Sequence, residues 1–237
     1  MKRKILESLV KWKISEERKP LILNGARQVG KTYILEQFGA EHFENVVYLN
    51  MEIEGAVRDF IEKELSPRKI IQFIEVSKKQ EIIPGKTLIF FDEIQACKRA
   101  LTSLKYFCEQ TPEYHIVSAG SLLGVAINRE KYSFPVGKVN EFCMYPFDFE
   151  EFLWALGYEK LAEEIKKHYT NNEQMPDSLH HVALEPIEVK KGHRNRSKSL
   201  GVFMEKYKSE YAIRISKKNF GFENKIKSVP LYAVFCI

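Results

Sequence analysis

The sequence predicts an α/β fold, a parallel sheet covered by helices on both faces, and three observations predict it. Short apolar runs alternate along the chain with segments of helical periodicity. The runs are nearly continuous in hydrophobicity, as strands buried on two faces are. Proline and glycine punctuate the boundaries, at Pro20, Gly25, Gly39 and Pro84-Gly85.

Taken in order, residues 2–13 read as a helix with Ile5, Leu6, Leu9, Val10 and Trp12 on its apolar face. Leu21-Ile22-Leu23, held between Pro20 and Gly25, is too short for a helix and reads as the first strand. A helix follows Gly30 through Ile34, Leu35 and Phe38 until Gly39 stops it. Residues 46–49 are a second strand. Helices are expected over 57–65 and 70–78, divided by Pro67. Residues 88–91 are a third strand, 97–110 a helix, 114–118 a fourth strand and 142–145 a fifth. From Asp148 the pattern is helical, with Phe149, Phe152, Leu153 and Leu156 in one stripe and Leu161 and Ile165 in another. The tail begins afresh as a partial β-α-β-β piece: a strand at 187–190, a helix at 200–207, and strands at 211–215 and 231–235. The expected organisation is a core over 1–147, a short helical segment over 148–182 and a basic piece over 183–237.

Composition excludes several classes. A hydrophobic fraction of 44% and a charged fraction of 29% suit an ordinary globular protein of 237 residues. No apolar run reaches the roughly 18 residues of a membrane span. The basic N-terminus is interrupted by Glu7, Lys11 and Lys13, unlike a signal peptide. Cysteines 97, 108, 143 and 236 form no C-x₂-C pair, and His180-His181 lacks helical i,i+4 spacing, so no structural zinc is expected. Sparse unpaired cysteines fit a reducing, cytoplasmic setting. Charge is uneven. Residues 183–237 carry 12 Lys and Arg against 5 Asp and Glu, a net +7, whereas residues 1–182 carry 25 against 27, a net −2. Such a basic tail suits an anionic partner or a solvated surface equally.

The segment Gly25-Ala26-Arg27-Gln28-Val29-Gly30-Lys31-Thr32 matches G-x-x-x-x-G-K-[ST], with a strand before it and a helix after it. Phosphate must be wrapped by backbone N–H groups, and glycine permits the turn and the close approach. The following helix adds the positive end of its dipole. Lys31 supplies a charge for the β- and γ-phosphates of ATP, and the Thr32 hydroxyl is placed to ligate Mg²⁺. Downstream, Leu88-Ile89-Phe90-Phe91 carries Asp92-Glu93 to a strand's C-terminal end, the edge where α/β sheets bind ligands. There Asp92 is expected to hold Mg²⁺ through water, and Glu93 to act as general base on the attacking water. Ser121, after the fourth strand, is expected near the γ-phosphate or the water. Arg129 is a candidate arginine finger acting in trans.

These residues resemble the AAA+-type P-loop ATPases of prokaryotes that carry an uncharacterised C-terminal domain. Further matches are Val47-Tyr48-Leu49-Asn50, Phe90-Phe91-Asp92-Glu93-Ile94-Gln95, Gly120-Ser121-Leu122-Leu123-Gly124 and Phe134-Pro135-Val136-Gly137-Lys138, and Tyr145 to Leu153 also fits. The resemblance covers about residues 1–180. It implies a sheet of AAA+ order, Asp92 and Glu93 as Walker B residues and Ser121 near the sensor position. The tail resembles the end of a restriction-endonuclease-like domain, with Glu188 and Lys190 as its E-x-K strand. The winged-helix-like segment and the first half of that domain, due between about 175 and 186, are lacking, so the chain reads as an internally deleted member. One carboxylate is not a metal site, so nuclease activity is not expected.

The leading functional expectation is a Mg²⁺-dependent ATPase driving a nucleic-acid or protein partner. Its alternatives are an ATP-binding module or remnant without turnover, and a DNA-associated protein acting through the basic tail. The resemblance allows an oligomer without specifying one.

Overall fold

The computed structural model describes residues 2–120, 135–184, 204–206, 212–216, 219–230 and 233–234. The chain divides into two compact units, one of them Arg3–Pro146 and the other made of Met1–Lys2 with Phe147–Ile237.

The first unit is built on five parallel strands: β1 (Leu21–Gly25), β2 (Asn45–Asn50), β3 (Thr87–Asp92), β4 (His115–Gly120) and β5 (Asn140–Met144). Their order is β2-β3-β4-β1-β5. Its helices are α1 (Ile5–Ile14), α2 (Lys31–His42), α3 (Gly55–Ile61), α4 (Pro67–Lys78) and α5 (Lys98–Gln110), with a 3-10 turn at Ile94–Ala96. This is the predicted parallel sheet flanked by helices.

Strand periodicity explains why the apolar runs are continuous. Side chains alternate between faces, and both faces are covered. Leu21, Leu23, Leu88 and Phe90 pack with Leu9 and Trp12 of α1 and Ile34, Leu35 and Phe38 of α2. Ile22, Ile89, Phe91 and Ile116 pack on the other face with Val57, Ile70, Ile74, Leu104 and Phe107 from α3, α4 and α5. All six residues of β3 are buried. Full burial of each large side chain contributes roughly 1.5–3 kcal/mol, so β3 anchors the unit. It also delivers Asp92 to a fixed point at the sheet's C-terminal edge.

The second unit opens on a capping box. The Asp148 carboxylate accepts from Glu151 N at 2.8 Å, and the Glu151 side chain accepts from Asp148 N at 3.4 Å. Helices α6 (Phe149–Ala155), α7 (Glu159–Asn171) and α8 (Asp177–Leu184) follow. Strands β6 (Ala212–Ser216), β7 (Gly221–Glu223) and β8 (Ile226–Pro230) form a sheet of order β6-β8-β7, with β6 parallel and β7 antiparallel to β8. Leu153, Leu161, Ile165 and Met175 share one core with Phe220, Val229 and Ala233. The strand expected over 211–215 is present. Of the strand expected over 231–235 the described residues are Ala233 and Val234, which lie in a 3-10 turn, and a strand is found at Ile226–Pro230. The β7–β8 hairpin fixes this register. It turns at Asn224 and Lys225, both left-handed with φ 50° and 61°. The strand expected over 187–190, with Glu188 and Lys190, lies outside the described residues.

Candidate functional site

Between β1 and α2 the chain folds into a loop whose two glycines serve different ends. At Gly25 a Cβ would lie 2.3 Å from the Met144 carbonyl oxygen, so the loop starts in direct backbone contact with the end of β5. At Gly30 a Cβ would meet only Met144 Cε, at an ordinary 3.7 Å, but φ is 93°, in the left-handed region that favours glycine. Gln28 also has positive φ, at 64°. The loop feeds into the N-terminus of α2, whose first residues are Lys31 and Thr32.

Lys31 is buried and donates to the carbonyls of Gly25 and Ala26, at 3.0 and 2.8 Å. Burial pushes its ammonium pKa down, and the charges of Glu93 and Asp92 oppose that shift. Thr32 Oγ1 donates to Asp92 Oδ2 at 2.9 Å. The same oxygen accepts from the Tyr48 hydroxyl at 2.9 Å, and Asp92 Oδ1 accepts from Glu93 N at 3.0 Å. Asp92 is 4% exposed, and its carboxylate meets donors from three segments. The Tyr48 hydroxyl pKa is raised to about 12 by burial and by its bond to Asp92.

Glu93 carries backbone strain. Its φ of 47° and ψ of 45° are left-handed, costing a bulky residue on the order of 1 kcal/mol or more. The 3-10 turn holds it there through Ala96 N to Glu93 O at 2.9 Å. The Gln95 amide donates to the Glu93 carboxylate. A cleft of about 580 Å³ lies over these groups, lined by Arg27, Gln28, Gly30, Lys31, Thr32, Tyr33, Glu52 and Glu93.

The structure thus brings together the loop, Lys31, Thr32, Asp92 and Glu93. Ser121 and Arg129 lie outside the described residues. Tyr48, Gln95 and Arg3 stand at the site without having been singled out from sequence for it. The register that sets Tyr48 beside Phe90 and Asn50 beside Asp92 makes the first contact possible. Only knowledge of the sheet order would have found it.

Residues 17–153 match the family described as the AAA domain, more than half of the chain. The chain belongs to the AAA domain family. No curated protein matches it. Among solved structures, this AAA chain is similar to one of Drosophila ORC bound to DNA, at 15% identity and a TM-score of 0.45, covering 70% of this chain and 47% of that one. It is similar to the Aeropyrum pernix ORC1 protein in complex with DNA, at 15% identity and TM-score 0.41, covering 86% and 64%. It is also similar to Drosophila ORC bound to AT-rich DNA and Cdc6, at 13% identity and TM-score 0.38, covering 85% and 77%. The chain spans about half the length of the first of these. No helix among the described residues is long and apolar enough to cross a membrane.

Proposed function

We propose that this AAA chain binds ATP with Mg²⁺ in the cleft and hydrolyses it to ADP and phosphate, coupling the cycle to a macromolecular partner. One observation carries the reading: Thr32, at the start of α2, and Asp92, at the end of β3, meet at 2.9 Å although β4 separates β1 from β3 in the sheet. A hydroxyl and a carboxylate are hard oxygen donors. Magnesium characteristically takes one or two such protein ligands, completing its shell with phosphate oxygens and water. Among the described residues no cluster of three or more His, Cys, Asp or Glu forms a protein-only metal cage. The donor set therefore fits a nucleotide-borne magnesium, and Thr32 and Asp92 would hold it. When bound, that ion would neutralise charge developing on the phosphate oxygens.

The rest falls to the chain itself. Lys31 exchanges its two loop carbonyls for phosphate oxygens, which are stronger acceptors. The α2 N-terminus and the loop N–H groups bind anionic oxygens. Glu93 accepts the proton of the attacking water, and Gln95 holds its carboxylate in place. We assign the ATPase core to residues 1–147, with the helical segment 148–182 and the basic piece 183–237 following it.

Thermal unfolding with and without Mg-ATP tests the binding step. A ligand at a hundredfold excess over its Kd stabilises the folded state by about 2.7 kcal/mol. The wild type should shift upward and Lys31→Ala should not. Glu93→Gln should keep the shift and lose phosphate release by about 10²–10⁴-fold. A cooperative wild-type transition with no shift would remove the ATP site. A shift without phosphate release would leave a binding module.

A further inference from the structure

Arg3 belongs to no motif, yet it is 6% exposed and its guanidinium reaches the phosphate loop. Nη1 donates to the Val29 carbonyl at 3.1 Å, across 26 residues of sequence. Nη2 donates to the Tyr145 carbonyl, just past β5, at 2.7 Å. One planar fork therefore ties the loop to the segment that leaves the sheet beside β1. The loop's other end meets the same strand, where Gly25 leaves no room for a Cβ against Met144 O. The end of β5 is thus the backing for both ends of the loop.

The consequence lies in the peptide that Arg3 grips. A trans peptide is planar, so its C=O and N–H point in opposite directions. Fixing the Val29 oxygen on the Arg3 side turns the Gly30 N–H away from Arg3. Gly30 lines the cleft, and Arg3 is not part of the cleft wall. Among the described residues the Gly30 N–H has no protein acceptor. Gly30, with φ 93°, has the rotational freedom that would let this peptide flip if it were not held.

We propose that Arg3 is a positioning residue for the phosphate loop, locking the Val29–Gly30 peptide so that the Gly30 N–H faces the nucleotide phosphates. The proposal rests on the nucleotide-binding reading of the cleft. Arginine suits the task because its rigid fork meets two carbonyls at once, whereas the point charge of lysine cannot hold both in the same geometry.

The test uses the full chain, labelled with ¹⁵N-glycine, as wild type, Arg3→Lys and Arg3→Ala. Mg-ADP is the probe, because the loop would hold its phosphates and no turnover intervenes. Arg3→Ala should raise the Kd for Mg-ADP about tenfold, the size of one lost charge-assisted hydrogen bond. Arg3→Lys should fall between the two. In the ligand-free variants the Gly30 amide, one of 12 glycine resonances, should be displaced or broadened. A merely structural role would leave that resonance in place. A folded Arg3→Ala with wild-type affinity and an unmoved Gly30 resonance overturns the proposal. If Arg3→Ala does not fold, the same two results in Arg3→Lys overturn it. A wild type that fails to bind Mg-ADP overturns the phosphate-site reading as well, and is distinguishable because it fails with Arg3 in place.

Discussion

Opposite ends of one sheet bury a polar, titratable side chain, and they do so differently. Asp92 ends β3 and is 4% exposed; His115 begins β4, beside Leu88, and is 6% exposed. Asp92 accepts from Thr32, Tyr48 and the Glu93 N–H. His115 is surrounded by the edges and faces of Trp12 and Phe43, with ring centroids at 5.9 and 5.0 Å. Its Nε2 lies 3.3 Å from the Lys13 carbonyl and so carries the proton, while Nδ1 has no partner among the described residues. Burial, then the nearby charge of Arg18, push its pKa down to about 4. The difference teaches that burial of a polar group does not mark a site. What sets Asp92 apart is convergence of donors from segments distant in sequence. At one end the chain satisfies a charge; at the other it keeps a ring neutral and packs it as an aromatic.

The comparison breaks first if Asp92 can be neutralised without consequence. Asp92→Asn preserves shape, and the hydroxyls of Thr32 and Tyr48 can rotate to accept from the new amide. The fold should survive. Mg²⁺-dependent turnover should fall about a hundredfold or more, since metal stabilisation of developing phosphate charge is worth several kcal/mol. Phosphate release measured across a magnesium titration checks this. An Asn variant with wild-type magnesium dependence would make Asp92 another His115, kept for packing.

The second effect is on stability and belongs to His115. Its folded pKa of about 4 lies below the ordinary 6.5, so on acidification the unfolded chain takes up the proton first. The stabilising contribution is complete above pH 6.5 and is lost as pH falls toward 4. Carboxylates titrate in the same range, so the variant supplies the reference. Denaturant unfolding of wild type and His115→Gln at pH 7 and pH 4.5 should show a steeper loss in the wild type. Affinity for Mg-ATP at pH 7 should match in the two. Equal pH slopes would mean that His115 is not buried neutral.

These two positions also show what the sequence made legible. Leu88-Ile89-Phe90-Phe91 reads as a strand buried on both faces, whose end carries Asp92-Glu93 to the ligand edge. The loop from Gly25 to Thr32 announced itself by spacing, because each constrained residue answers a local demand of phosphate. Tyr48, Gln95 and Arg3 gave no such signal. Tyr48 reaches Asp92 only because β2 neighbours β3, and Arg3 can bridge Val29 and Tyr145 only because β5 neighbours β1. Such contacts follow from strand order, which no local pattern encodes. The C-terminal strand at Ile226–Pro230 was missed for a related reason. Leu231 to Phe235 is the more apolar run, but pairing with β6 and the hairpin with β7 selected the segment before it.

The smallest expected effect sharpens the comparison most, because it removes one atom. Tyr48→Phe keeps the ring edge-on to Phe90, at 5.2 Å, and deletes only the hydroxyl that donates to Asp92 Oδ2. With its pKa raised to about 12, that hydroxyl remains a donor at any working pH. Its loss should cost about 1 kcal/mol of stability in the ligand-free protein, the net worth of a typical hydrogen bond. The magnesium concentration for half-maximal turnover should rise about tenfold, as when a residue that orients a metal ligand is removed. Thr32 and the Glu93 N–H would still hold the carboxylate, so turnover at saturating magnesium should stay near wild type. A variant unchanged in both readouts would reduce Tyr48 to aromatic packing, and the convergence on Asp92 to two donors. A variant that loses stability but keeps its magnesium dependence would place Tyr48 with His115, as a buried polar group serving the fold alone.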